Sequence, residues 1–148
     1  MTINLFQTPE YKELMEKHIE KTISYLFNKN QEFALACEIK HVTFTPELPS
    51  DIKDKFNETV LFVLSGYTYE TAKLEDGYFY FEAGFGSDNF GSTVAVPLLA
   101  IKQLFVEDNP IVFNLAEPVI EEDVSKKSSM EALLNNPENK KLLKKKKL

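Results

Sequence analysis

The sequence predicts an α+β domain, mainly β, followed by a C-terminal tail. Three observations carry this: one amphipathic helical stripe near the N-terminus, a succession of alternating apolar runs broken by Gly, Pro and Asp-Gly, and an abrupt change of composition near Glu117. A chain of 148 residues, 43% hydrophobic and 12% aromatic, has enough apolar surface for one core without a metal or a disulfide.

Thr8 followed by Pro9 reads as a helix start, with Thr8 as cap, Pro9 at the first helical position, and Glu10 and Glu13 at the positive end of the dipole. Tyr11, Leu14, Met15, His18, Ile19, Thr22, Ile23 and Leu26 recur at steps of three and four, one face of a helix ending at residues 28–30. Residues 32–45 alternate as a strand does, with Phe33, Leu35, Cys37 and Ile39 on one side. A polar connection over 46–58 leads to residues 60–64, apolar throughout, as in a strand buried on both faces. Ser65 and Gly66 interrupt it. Asp76-Gly77 signals a hairpin, after which Phe79, Phe81, Ala83 and Phe85 face one side and Tyr78, Tyr80 and Glu82 the other. A short strand ends at Pro97, and Leu98, Ile101, Leu104 and Phe105 then repeat as one to two helical turns do. The segment PIVFNL is the last expected strand.

Charge divides the chain. The net charge is −6, yet residues 1–116 carry 9 Lys against 17 acidic residues, whereas 117–148 carry 8 Lys against 6. Aromatics vanish after Ala116, and such a composition cannot offset the entropy of ordering, so 117–148 is expected to be a flexible tail, with Ser128 or Ser129 capping a brief turn through MEALL and a basic, leucine-dotted end. The single cysteine, Cys37, fits a reducing compartment. With no long apolar segment and no signal-peptide pattern, the expected location is cytoplasmic. The chain has no arginine, and its acidic body makes a poor nucleic-acid surface.

The most distinctive segment is AGFGSDNFGSTVAVPLLAI, residues 83–101. Gly84, Gly86 and Gly91 do not have dinucleotide-binding spacing, and no Gly-Lys-Ser/Thr follows. Ser87 has no nucleophile-elbow context, one Cys and two separated His, His18 and His41, give no zinc spacing, and Asp88 with Asn89 offers too few oxygens for calcium. Glu70, Glu75, Asp76 and Glu82 read as a solvated hairpin edge. The expectation is therefore no enzyme, no metal and no cofactor. Glycines in a curved sheet leave main chain uncovered, and with Tyr67, Tyr69, Phe79, Phe81, Phe85 and Phe90 around the gap the segment suits an extended peptide held between aromatics, with Phe79 and Phe81 better placed in the core.

FEAGFG (residues 81–86) and VAVPLLAI (residues 94–101), in this order after the N-terminal helix and hairpin, resemble the F-x-A-x-F-G and V-x-V-P-L-x-A-I patterns of the stringent starvation protein B (SspB) family, adaptors of the ClpXP protease. The resemblance covers roughly residues 8–116; Ser87 stands where the family has a second glycine, and the loop to Val94 is longer. It implies an SspB-like half-barrel peptide-binding domain over 1–116, a homodimer through the helix of residues 9–27, and a groove for the ssrA degradation tag added by trans-translation. It places Phe85 and Gly86 in that groove, with Ser65, Gly66 and Tyr67 on the opposite wall. The tail, 117–148, would then be a tether docking on the ClpX N-terminal domain through Leu142, Leu143 and Lys144. Two other readings remain open on the residues alone: the same groove serving a different peptide or protein, and a nucleic-acid or membrane-surface contact through the lysine tail.

Overall fold

A computed structural model of the chain describes residues 4–118. Of the expected tail, Glu117 and Pro118 are described, and Glu117 is held by Gln7 and Lys102 instead of being part of a flexible segment; the rest, including the turn through MEALL and the docking residues Leu142, Leu143 and Lys144, lies outside the described residues.

A 3-10 turn, Leu5–Gln7, leads into helix α1, Pro9–Asn28. Thr8 caps it as expected: its Oγ1 accepts a hydrogen bond from the Tyr11 N–H at 3.3 Å, so one of the orphan donors of the first turn is satisfied. Met15, Ile19, Ile23 and Leu26 are buried. Leu14 and His18, assigned by periodicity to the same stripe, instead face solvent, and Leu14 is 63% exposed, as Tyr25 is 59% exposed further along. The helix thus buries one apolar strip and leaves two apolar side chains, Leu14 and Tyr25, exposed on its outer side.

Eight strands form two antiparallel four-stranded sheets. The first has the order β3 (Thr59–Leu64), β1 (Phe33–Glu38), β7 (Ile101–Val106), β8 (Asn109–Phe113); the second has β2 (Thr43–Thr45), β6 (Phe90–Pro97), β5 (Tyr78–Phe85), β4 (Lys73–Glu75). Short helices α2 (Ser50–Lys53) and α3 (Gly66–Thr71) lie in the connections. The hairpin β4–β5 turns on Asp76 (φ 52°) and Gly77 (φ 81°), the two positive-φ positions such a turn needs.

What looks like one strand over 32–45 is two. The 3-10 turn Ile39–His41 breaks it, and the chain passes from the first sheet to the second. Opposite it, the 3-10 turn Leu98–Ala100 carries β6 into β7 in the same way, because β2 pairs with β6 and β1 with β7. The result is one two-stranded ribbon bent at a single level, with helix α1 against the Leu98–Ala100 turn. The helical turns expected over Leu98 to Phe105 are therefore a 3-10 turn followed by a strand. A bulge explains the mistaken period: Ala36 pairs with Gln103 but Cys37 with Ile101, so the extra residue, Lys102, lets Ile101 and Leu104 both point inward. Residues 60–64 are not buried on both faces either. β3 is an edge strand with Phe62 and Leu64 inward and Leu61 (56%) and Val63 (60%) outward.

Phe27, Phe33, Phe79, Phe81 and Tyr69 form the aromatic centre of the core, with ring centroids 5.6–6.2 Å apart. Cys37 is fully buried, and burial pushes its thiol far above the usual range, which makes it a core residue and a poor nucleophile.

Candidate functional site

The β5–β6 hairpin places Ala83 opposite Ser92, Gly84 opposite Gly91, and Phe85 opposite Phe90. Side chains alternate along each strand, so with Phe79 and Phe81 in the core, Glu82 and Gly84 face outward, as do Gly91 and Thr93 on β6. Two glycines thus meet across the ladder on the outer face; the main chain is bare at Gly91, whereas the Asn89 side chain lies over Gly84. Around them lies a trough of about 570 Å³, walled by Tyr67 and Thr68 of α3 on one side and by Thr45 and Pro46 on the other, with Asn89 at its end. Ser92, buried below, donates its hydroxyl hydrogen to the Pro46 carbonyl at 2.8 Å and so ties the Thr45–Pro46 wall to β6.

One edge of this hairpin is bordered by a helix instead of a strand. β4 pairs only with Tyr78 to Tyr80, so from Phe81 to Phe85 strand β5 has β6 on one side and, among the described residues, helix α3 but no strand on the other. The Glu82 N–H donates instead to Thr71 Oγ1 at 2.9 Å. Main-chain groups alternate in direction along an antiparallel strand, so those of Gly84 point to the same side, where no strand pairs with them among the described residues. The Glu82 carboxylate accepts a hydrogen bond from the Tyr67 hydroxyl at 2.7 Å, and that bond, together with the carboxylate charge, raises the Tyr67 hydroxyl above its ordinary phenol value.

The glycines differ in what they require. A Cβ at Gly84 would lie 1.8 Å from Asn89 Oδ1, because the Asn89 amide folds over that position. Gly86 sits at φ 76° with Ile52 Cδ1 at 2.8 Å from an added Cβ, so both conformation and space demand glycine. Gly91 has an ordinary strand conformation and nothing within 4 Å of an added Cβ.

Of the five residues expected in the groove, the trough is lined by Tyr67 alone. Phe85 points the other way, with its ring 5.6 Å from Phe44 and 6.3 Å from Phe56. Gly86 forms the turn beside Ile52, Ser65 precedes α3 as its N-cap residue, and the Gly66 N–H donates to Glu32 Oε2 at 2.9 Å. The other expected aromatics do not line the trough: Phe79 and Phe81 are core, Tyr69 packs on Phe27 and Phe33, and Phe90 is half-buried against the core. Glu82, read as a solvated edge, is instead part of the wall, together with Thr45, Thr68 and Thr93, which sequence reasoning missed. Parity was the available signal, since Glu82 and Gly84 must share a face.

A second polar cluster lies where the described chain ends. Glu38, His41 and Glu117 bring three ligand-type atoms within 4.8 Å of one another, but Lys102 Nζ already stands 3.3 Å from Glu38 Oε1 and 3.2 Å from Glu117 Oε2. Burial pushes the Glu117 carboxyl up, yet hydrogen bonding with Glu38 and Lys102 and the lysine charges outweigh it and hold the group below its ordinary value. Gln7 clamps the same segment, accepting from the Glu117 N–H at 2.9 Å and donating to the Leu115 carbonyl at 3.1 Å. This is a structural clasp with its cation built in.

No protein-family model matches this chain, and no curated protein matches it. Among the described residues no helix is long and apolar enough to cross a membrane.

Proposed function

We propose that this protein is a non-enzymatic adaptor of the stringent starvation protein B kind, which holds an extended degradation tag in the trough and delivers the tagged substrate to ClpXP through its tail. The observation that carries the reading is the stretch of β5 at Gly84, which has no strand partner on its outer edge among the described residues and lies beside Gly91. An incoming strand can add to such an edge by main-chain hydrogen bonds while its alternate side chains settle between Tyr67 and the Thr45–Pro46 wall. Two further features agree with it. The ribbon bent at Ile39–His41 and Leu98–Ala100 curves the sheets in the manner of a half-barrel, and the solvent-facing Leu14 and Tyr25 give α1 a strip that a second copy can cover.

Fluorescence anisotropy with a fluorescein-labelled trans-translation tag peptide tests the reading. Saturable binding at tens of micromolar or tighter is expected. Gly91→Phe, which fits the backbone and has open space above it, should fill the trough and abolish that binding without unfolding the protein. A flat titration, or binding indifferent to Gly91→Phe, rejects it.

A further inference from the structure

Among the described residues Glu82 is the only carboxylate lining the trough, and no described lysine or histidine lines it. Its exposed carboxylate has no ion-pair partner among the described residues; its one hydrogen-bond donor there is the neutral Tyr67 hydroxyl. The other polar groups around it are the hydroxyls of Thr45, Thr68 and Thr93 and the Asn89 amide, none of which carries charge. The local field in the trough is therefore negative and uncompensated, and an acidic side chain set beside Glu82 meets repulsion where a basic one meets attraction.

Position sharpens this. Glu82 and Gly84 are two residues apart on one face of β5, a separation of roughly 7 Å along a strand. A ligand paired to the same edge also presents alternate side chains to the trough. The residue reaching Glu82 is consequently two positions from the residue over the glycine pair, where Asn89 covers Gly84 and the space above Gly91 is free.

We infer that the trough selects extended peptides in which a lysine or arginine faces Glu82, two positions from a residue seated over Gly91. The inference rests on the peptide-groove reading above and adds the class of sequence that the groove accepts. An exposed ion pair has modest strength, so the expected discrimination between Lys and Glu at that position is about five- to tenfold in Kd.

Selection of a displayed random nonapeptide library on the full chain tests it, with Glu82→Gln and Gly91→Phe run in parallel and circular dichroism confirming that both variants fold. Wild type should enrich Lys or Arg at one position, and a selected peptide resynthesised with Glu there should bind about five- to tenfold more weakly, a difference that Glu82→Gln removes and 0.5 M salt diminishes. Enrichment of Asp or Glu at that position, indifference to charge, or a Lys preference that survives Glu82→Gln overturns the inference, and leaves the groove standing if Gly91→Phe still blocks binding. If no peptide is enriched, or Gly91→Phe changes nothing, groove and inference fall together.

Discussion

At the scale of single residues, the structure separates positions that the F-G pattern had grouped. Phe85 packs on Phe44 and Phe56 and does not line the trough, so Phe85→Ala should cost about 2 kcal/mol of stability, on the low side for a lost phenyl ring because this one is only half-buried. Tag binding should fall by less than stability does; urea denaturation and anisotropy on the same variant check this. Glu117 illustrates a pH effect whose sign follows from its surroundings. Its folded carboxyl titrates below the ordinary 4.5, so the stability it contributes is fully present above that pH and is lost as pH falls through the lower, folded value. Glu117→Gln should therefore be less stable than wild type at pH 7 and should flatten the acid limb of a denaturation series below pH 4.5, where the two proteins converge.

At the scale of elements, what was legible is what local chemistry decides. The start of α1 follows from Thr8 and Pro9, and the first hairpin from Asp76 and Gly77, because a cap and a positive-φ turn each involve neighbours in sequence. The bent ribbon was not legible: the 3-10 turns Ile39–His41 and Leu98–Ala100 are too short to carry a period, and the bulge at Lys102 imitates a helical one. The trough was half legible for the same reason. Strand parity fixes Gly84 and Glu82 on one face, whereas Thr45, Pro46 and Tyr67 arrive through sheet pairing and the placement of α3. Asn114 shows what holds the second bend. Its buried amide donates to the Leu99, Ile101 and Ala116 carbonyls at 2.9, 3.0 and 3.2 Å, and its Oδ1 accepts from the Ala116 N–H at 2.8 Å. Asn114→Leu would leave these groups without that partner, and a loss of about 2–4 kcal/mol is expected, given roughly 1–3 kcal/mol for each buried group left unsatisfied and partial relaxation. Urea denaturation measures the loss, and faster amide exchange in the segment from Leu98 to Ala100 would locate it.

At the scale of the whole molecule, the proposed delivery depends on parts that can be removed one at a time. Leu14 and Tyr25 are exposed and neither lines the trough, so placing a charge there should disturb the proposed association and leave the groove intact. Leu14→Glu is expected to convert the proposed dimer to a monomer in sedimentation velocity while leaving the affinity for a tag peptide within about twofold, since a surface change of this kind does little to a folded domain. Deleting residues 140–148 should spare both dimer and groove yet abolish faster degradation of a tagged substrate by ClpXP. The reason is kinetic as well as energetic: a flexible link raises the local concentration of substrate at the protease to roughly millimolar, so two modest contacts act as one strong contact only while both exist. The monomeric variant retains one tether, so it should fall between wild type and the tail deletion at limiting adaptor concentration and approach wild type when adaptor is in excess. Equal activity of monomer and dimer at limiting concentration would mean that one tether suffices, and full delivery by the tail-deleted protein would mean that the body itself, not the segment 140–148, makes the contact with the protease.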